Sequence, residues 1–455
     1  MRLPQELTLS VNRRNPFVFL LSSKAEHHRL LYIALPMILS NITNPLLGMV
    51  DTAIIGHLDG TFFLAGTAVA TMVITQIYWV CGFLRMSATG LSAQARGERD
   101  TTAGSRVFYQ LLMPAVLIGV LMILFQGVLI QIAGYFAEAS IRVNEVIGAY
   151  IGIRVWGAPA ALANLMLVGW LVGQQHTRLV MLIQILGNLL NAILSLFLAI
   201  GLGWGVEGVA AATVVAEYAI FIASFYVVMR NTGWRGPRFE WFRLQIYRQV
   251  LDLNRDIFLR NLALQVTIAF LTFQGARLGE DIVAVNALLM QFFVITALGL
   301  DGIAYGVEAL VGESKGAGAR QQLHDRVRVG LFWSALLAVV YSLFFILFDS
   351  VIIALLTDLA PLRQLATAFL PYIWVMPLLA HWCFLMDGVF IGLTRGKAMR
   401  NSMLFCTLAV FFPLWWLTSA LGNHALWLAF LGFLLARGVS LGWLYLRLFR
   451  QQALL

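Results

Sequence analysis

The chain has 455 residues and a formal net charge of +9, with 60% hydrophobic and only 12% charged residues. Soluble globular domains carry about 25% charged residues, so that class is excluded. Apolar runs of twenty or more recur along the whole length, which excludes the short alternating strands of a β-barrel and indicates a polytopic α-helical membrane protein.

Twelve spans are predicted, roughly over 30–56, 62–95, 107–133, 143–173, 178–200, 207–230, 250–277, 282–312, 327–348, 366–394, 399–420 and 424–446. With the N-terminus in the cytoplasm, the segments expected inside carry 24 Lys and Arg against three outside, Arg142, Arg277 and Arg363. A wrong helix count would scramble that alternation, so the positive-inside rule supports twelve spans with both termini cytoplasmic. The net positive charge follows from this loop bias, and no nucleic-acid partner is expected. Cys81, Cys383 and Cys406 all fall in apolar spans and read as small buried hydrophobes.

The longest charged connector divides the chain six plus six. The expected organisation is an N-terminal segment 1–29, an N-lobe 30–230, a linker 231–249, a C-lobe 250–448 and a tail 449–455. The halves resemble each other weakly. At an offset of 216, Leu84 meets Leu300, Ala88 meets Ala304 and Gly90 meets Gly306; at 219, Gly169 and Gly173 meet Gly388 and Gly392. Six helices per half give both halves the same orientation, an arrangement in which substrate sits between lobes that rock.

Asp51 stands alone in the first span. A carboxylate there costs about 2.5–3.5 kcal/mol on insertion scales, so it faces protein or a watery cavity, or is protonated. A desolvated acid of this kind can load and release protons near neutral pH, which points to proton-coupled transport. Pro36 and Pro45 interrupt the same helix, and proline removes a backbone donor and bends a helix. In the fifth span Asn188, Asn191 and Ser195 share a face. With Asn164 in the fourth span and Thr213 in the sixth they suggest a polar pocket in the N-terminal half; interhelical hydrogen bonding is the alternative. Asp301 and Asp387 are secondary candidates in the second half, with Arg85 and Arg260 as possible partners. Glu217 and Glu308 lie toward span ends, within reach of headgroups. No metal spacing, nucleophile elbow or phosphate loop occurs, so no enzyme activity is expected.

Several stretches resemble the multidrug and toxic compound extrusion (MATE) transporters. These are Leu35-Pro36 with Asn41 and Asp51-Thr52, then Ile55-Gly56-His57-Leu58, and Gly388 to Gly392 followed by Arg395-Gly396. Leu84-Arg85-Met86-Ser87, Leu253-Asn254-Arg255-Asp256-Ile257, Leu300-Asp301-Gly302 and Leu385-Met386-Asp387-Gly388 resemble the DinF-like branch in particular. The resemblance implies twelve helices in two pseudo-symmetric six-helix lobes. It also implies export of amphipathic, often cationic compounds against a proton or sodium gradient. Asp51 matches the family's cation-coupling acid, Pro36 the proline at which the first helix bends, and Asn191 a polar residue of the same site.

Two positions depart from relatives that use sodium. Ser195 stands where a second acid is common in the fifth helix, and Phe384 where the tenth helix of one branch carries an acid. Both favour protons. The expected protein is therefore a monomeric drug/proton antiporter of the inner, or plasma, membrane, contacting lipids and needing no cofactor. The alternatives are sodium coupling, a flippase for lipids or lipid-linked precursors, and a lipid-modifying membrane enzyme.

Overall fold

The computed structural model describes residues 23–58, 60–137 and 140–454; the expected segment 1–29 lies outside the described residues up to position 22, as does Leu455. Twelve helices are long and apolar enough to cross a bilayer. They are α1 (Lys24–Gly56), α2 (Thr61–Glu98), α3 (Thr101–Leu124), α4 (Ile141–Gly173), α5 (Thr177–Gly201) and α6 (Gly205–Asn231) in the first half. In the second half they are α7 (Leu244–Leu278), α8 (Glu280–Gly316), α9 (Arg320–Leu356), α10 (Leu370–Gly392), α11 (Gly396–Leu421) and α12 (Asn423–Arg450).

The hydrophobic runs locate the spans, and local chemistry sets their ends. The Asp100 side chain caps α3 by accepting from the Thr102 amide at 2.7 Å, and Ser140 accepts from the Val143 amide at the start of α4. Gly279 alone joins α7 to α8, at φ +134°, a conformation that L side chains rarely adopt. Several helices outrun their apolar cores. α9 begins at Arg320, not 327, because Arg326 is buried against Glu26 (3.2 Å) and Glu313 (2.9 Å). α3 ends early, at Leu124, and a turn at Phe125 leads into a separate helix, Gln126–Ala137. The linker expected over 231–249 is partly helical: Phe239–Phe242 forms a 3-10 turn, and α7 starts at Leu244.

The internal repeat is built into the packing. A Cβ at Gly169 or Gly173 of α4 would come closer than 3.0 Å to the carbonyl oxygens of Arg85 and Thr89 in α2. A Cβ at Gly388 or Gly392 of α10 would do the same to Ala304 and Glu308 in α8. The two sets of contacts are related by an offset of 219, which places Arg85 against Ala304 and Thr89 against Glu308, whereas the identities in α2 and α8 are related by 216. A slip of three is close to one helical turn and preserves the face.

The halves share a core at one end only. Leu84, Phe108 and Leu167 of the first half pack in one cluster with Leu310, Val311 and Phe390 of the second. Toward the other end each half keeps its own core, Ile54, Ile74 and Ile147 in the first, Phe292, Phe345 and Phe430 in the second. At the shared end a Cβ at Gly90 would strike the Ile391 carbonyl, one at Gly97 the Glu313 carbonyl, and one at Gly316 the Gln94 carbonyl. This is the closed end of the molecule.

Candidate functional site

Asp51 lies about one and a half turns before the end of α1, half-buried, where α1 packs on α5. The Ser195 hydroxyl is 3.1 Å from Asp51 Oδ1 and 3.2 Å from Asn191 Oδ1. Thr213 of α6 lies beside Asn191: its hydroxyl is 3.4 Å from both the amide nitrogen and Oδ1, and it donates to the Val209 carbonyl at 2.9 Å. Asn191 and Ser195 are both buried. Four of the residues expected together, Asp51, Asn191, Ser195 and Thr213, therefore form one hydrogen-bonded chain across α1, α5 and α6. A π-helical turn, Leu196–Gly201, begins immediately after Ser195; such turns inside α-helices recur at functional sites.

The other expected residues are near but separate. The Asn188 amide donates to Thr43 Oγ1 at 3.0 Å, joining α5 to α1 about two turns nearer the closed end. Asn164 donates to the Glu217 carbonyl at 2.9 Å, joining α4 to α6. Pro36 is fifteen residues before Asp51, about 22 Å along the helix at 1.5 Å per residue. It sits where α1 meets the second half: Cβ atoms at Gly306 and Gly302 would strike Leu30 and Ile38 on either side of it. Between Pro36 and Asp51, the Asn41 amide donates to the Leu298 carbonyl of α8 at 3.2 Å.

The remaining deep acids are mostly paired. Glu217 meets Arg154 at 2.9 Å and Glu308 meets Arg85 at 3.0 Å. These two acids do not reach headgroups, as their sequence positions implied. Their arginines sit inside the spans, where an unpaired cation is costly, so each acid is drawn inward to its partner. Asp387 accepts through Oδ2 from both Arg260 and Arg437. Arg437 was missed as a partner; a buried arginine in a span without a partner in sequence is the signal that finds it. Arg85 also lies over the Tyr305 ring, 4.2 Å from its centroid. Among the described residues, no cation lies within ion-pair distance of Asp51 or of Asp301. No group of three His, Cys, Asp or Glu that could hold a metal occurs among the described residues.

The MatE family model matches the chain twice, over residues 36–197 and 257–417. The chain belongs to this family. Within MATE it falls in the DinF-like branch: it is 43% identical to the DNA damage-inducible protein F of Escherichia coli (strain K12) over 432 residues, 92% of each chain. The chloroplastic Protein DETOXIFICATION 44 of Arabidopsis thaliana is 25% identical over 82% of this chain and 73% of its own. Among solved structures, a MATE in the straight conformation superposes with a TM-score of 0.84 at 19% identity, covering 97% of this chain and 99% of the other. An outward-facing multidrug resistance MATE transporter gives 0.81 at 19% identity, with the same coverage. These likenesses establish the MATE fold: an all-helical, multi-pass membrane protein of two six-helix lobes, in a family of transporters and not of enzymes.

Proposed function

We propose that this MATE protein exports amphipathic, often cationic compounds in exchange for protons, and that Asp51 is the group that carries the proton. The observation that supports this most is the company Asp51 keeps. Glu217, Glu308 and Asp387 are each held in an ion pair with arginine. Among the described residues Asp51 has the Ser195 hydroxyl as its one hydrogen-bond partner and no ion pair, so its charge is free to change.

The chain of hydrogen bonds gives that change a mechanical consequence. One hydroxyl carries one proton and cannot donate to both neighbours. When Asp51 is ionised, Ser195 donates to it and the Asn191 amide oxygen loses that donor. When Asp51 takes up a proton, its own hydroxyl donates to Ser195, and Ser195 turns to donate to Asn191. Protonation thus reverses the hydrogen bond across the α1–α5 junction and adds one within α5, and it replaces an anionic acceptor on α1 with a neutral donor. Bending of α1 at Pro36 then changes how Leu30 to Ile38 pack on Gly302 and Gly306, linking the site to the seam between the lobes. Asn164, Asn188 and Thr213 line the same half and would meet the substrate. Asp301, unpaired in the second half, is a secondary point for a cationic group.

In this reading the lobes 30–230 and 250–448 rock about the linker 231–249. The closed end faces the cytoplasm with both termini, including the tail 449–455, and the protein works as a monomer in the inner membrane. Relatives named as multidrug resistance proteins, such as NorM of Vibrio vulnificus, agree with such substrates. Sodium coupling is the second reading, because Asp51, Asn191, Ser195 and Thr213 offer four neighbouring oxygens. Efflux of a cationic dye from proteoliposomes separates the two. A pH gradient alone should drive export, and a sodium gradient alone should not; the reverse pattern would replace protons with sodium. No export under either, with scrambling of fluorescent phospholipid, would favour a flippase.

A further inference from the structure

The segment joining the two halves is fastened to α3 along its length. Arg235 donates to the hydroxyls of Thr101 (3.0 Å) and Thr102 (2.8 Å). The Tyr109 hydroxyl donates to the Arg235 carbonyl at 2.9 Å, and the Gln110 amide to the Trp241 carbonyl at 2.5 Å. The Tyr109 and Trp241 rings stack at 6.1 Å. A connector needed only to let two lobes rock has no use for this many fixed contacts to one of them.

Held this way, the segment and the lipid-facing side of α3 enclose a groove of about 560 Å³. Met113, Val116, Leu117 and Val120 of α3 form its wall, all of them exposed. Arg238 and Phe239 stand at its mouth, with Phe239 97% exposed and Arg238 lying 5.7 Å over the Trp241 ring. The segment that carries Arg238 is basic. From 230 to 248 the chain carries Arg230, Arg235, Arg238, Arg243 and Arg248 against a single acid, Glu240.

An apolar trough along a membrane helix, with arginines at its head, complements a molecule that has a hydrocarbon tail and an anionic head. A soluble anion leaves the trough empty, and a zwitterionic lipid brings its own cation to the arginines. We propose that this groove binds an anionic phospholipid from the adjoining leaflet, one acyl chain against Met113 to Val120 and the phosphate at Arg238, with Arg243 of the same basic segment adding to the positive field. The lipid completes the contact between connector and α3, so that the second half swings from a point fixed in the membrane surface. Basic clusters beside a span recognise acidic lipid in this way.

The full-length protein is reconstituted in phosphatidylcholine bilayers doped with phosphatidylglycerol or phosphatidylcholine that carries a photoactivatable acyl chain. After illumination, labelled peptides are mapped. Phosphatidylglycerol should label residues 109–120 and 237–242 roughly fivefold more than phosphatidylcholine does. The preference should fall toward parity in the Arg238→Ala/Arg243→Ala variant. Leu117→Trp should remove both labels from the groove while leaving those on the exposed face of α9 unchanged. Equal labelling by the two lipids in the unmodified protein, or a preference that survives loss of both arginines, would overturn the site and leave ordinary boundary lipid. Absence of any label from the groove would overturn it too. None of these outcomes depends on what the protein transports.

Discussion

Most of the deep carboxylates are paired with arginine, and Asp51 is not. Ser195 is the hinge of the proton reading, because its single hydroxyl proton is shared between Asp51 and Asn191. Ser195→Ala should leave the protein folded and able to bind substrate but lower gradient-driven efflux about tenfold, the scale of one hydrogen bond to a charged group. Unchanged efflux would remove Ser195 from the mechanism. The Arg85–Glu308 pair makes the opposite test. Glu308 is only 2% exposed, so Arg85→Leu strands a carboxylate and should cost about 3–5 kcal/mol. Pairing it with Glu308→Leu should recover most of that loss in thermal melts of detergent-solubilised protein. Asp51 was legible in sequence because an acid in an apolar run is conspicuous by itself. Its neighbours Asn191 and Ser195 were legible through helical spacing, and Thr213 as a polar residue of the sixth span. Arg260 was legible as a possible partner for Asp387, which it meets; Arg437 was not, since it lies fifty residues from Asp387 and only the three-dimensional packing joins them.

The helices were readable because hydropathy reports burial in lipid, whereas their ends answer to single polar contacts that hydropathy does not register. α9 is the example, extended by a turn and more through the ion pairs of Arg326. The glycines of the seam were visible as a repeat, but their role emerges from what they touch. A Cβ at Gly97 meets the backbone of Glu313 and Ala317, which cannot move aside as a side chain would. Gly97→Val should therefore hold the closed end apart. Spin labels at Arg99 and Lys397, one on each half, would report a longer distance than in the unmodified protein, and an unchanged distance would contradict the seal. The turn between α4 and α5 carries a pH-sensitive contribution. Burial, aided by Arg96, holds the His176 imidazole below its ordinary range. The unfolded chain then takes up the proton first, so the contribution is present above the unfolded value of about 6.5 and is lost as pH falls below it. Thermal unfolding followed from pH 8 to pH 5 should fall less steeply in His176→Gln than in the unmodified protein.

At the scale of the whole molecule, the decisive feature is that two lobes share a core at one end and part toward the other. The six-plus-six organisation was evident from loop charge and internal repeat. Which end closes was not, because contacts such as Gly90 with Ile391 and Gly316 with Gln94 join residues some 220–300 positions apart that no local pattern connects. Rocking of the lobes has to be driven by a group whose charge changes, and in this reading that group is Asp51. The most direct measurement is dye efflux from proteoliposomes under an imposed pH gradient, comparing the unmodified protein with Asp51→Asn at matched thermal stability. The variant should bind the dye and lose pH-driven export. Retained export at a comparable rate would contradict it and move the coupling site elsewhere, with Asp301 the next carboxylate to test.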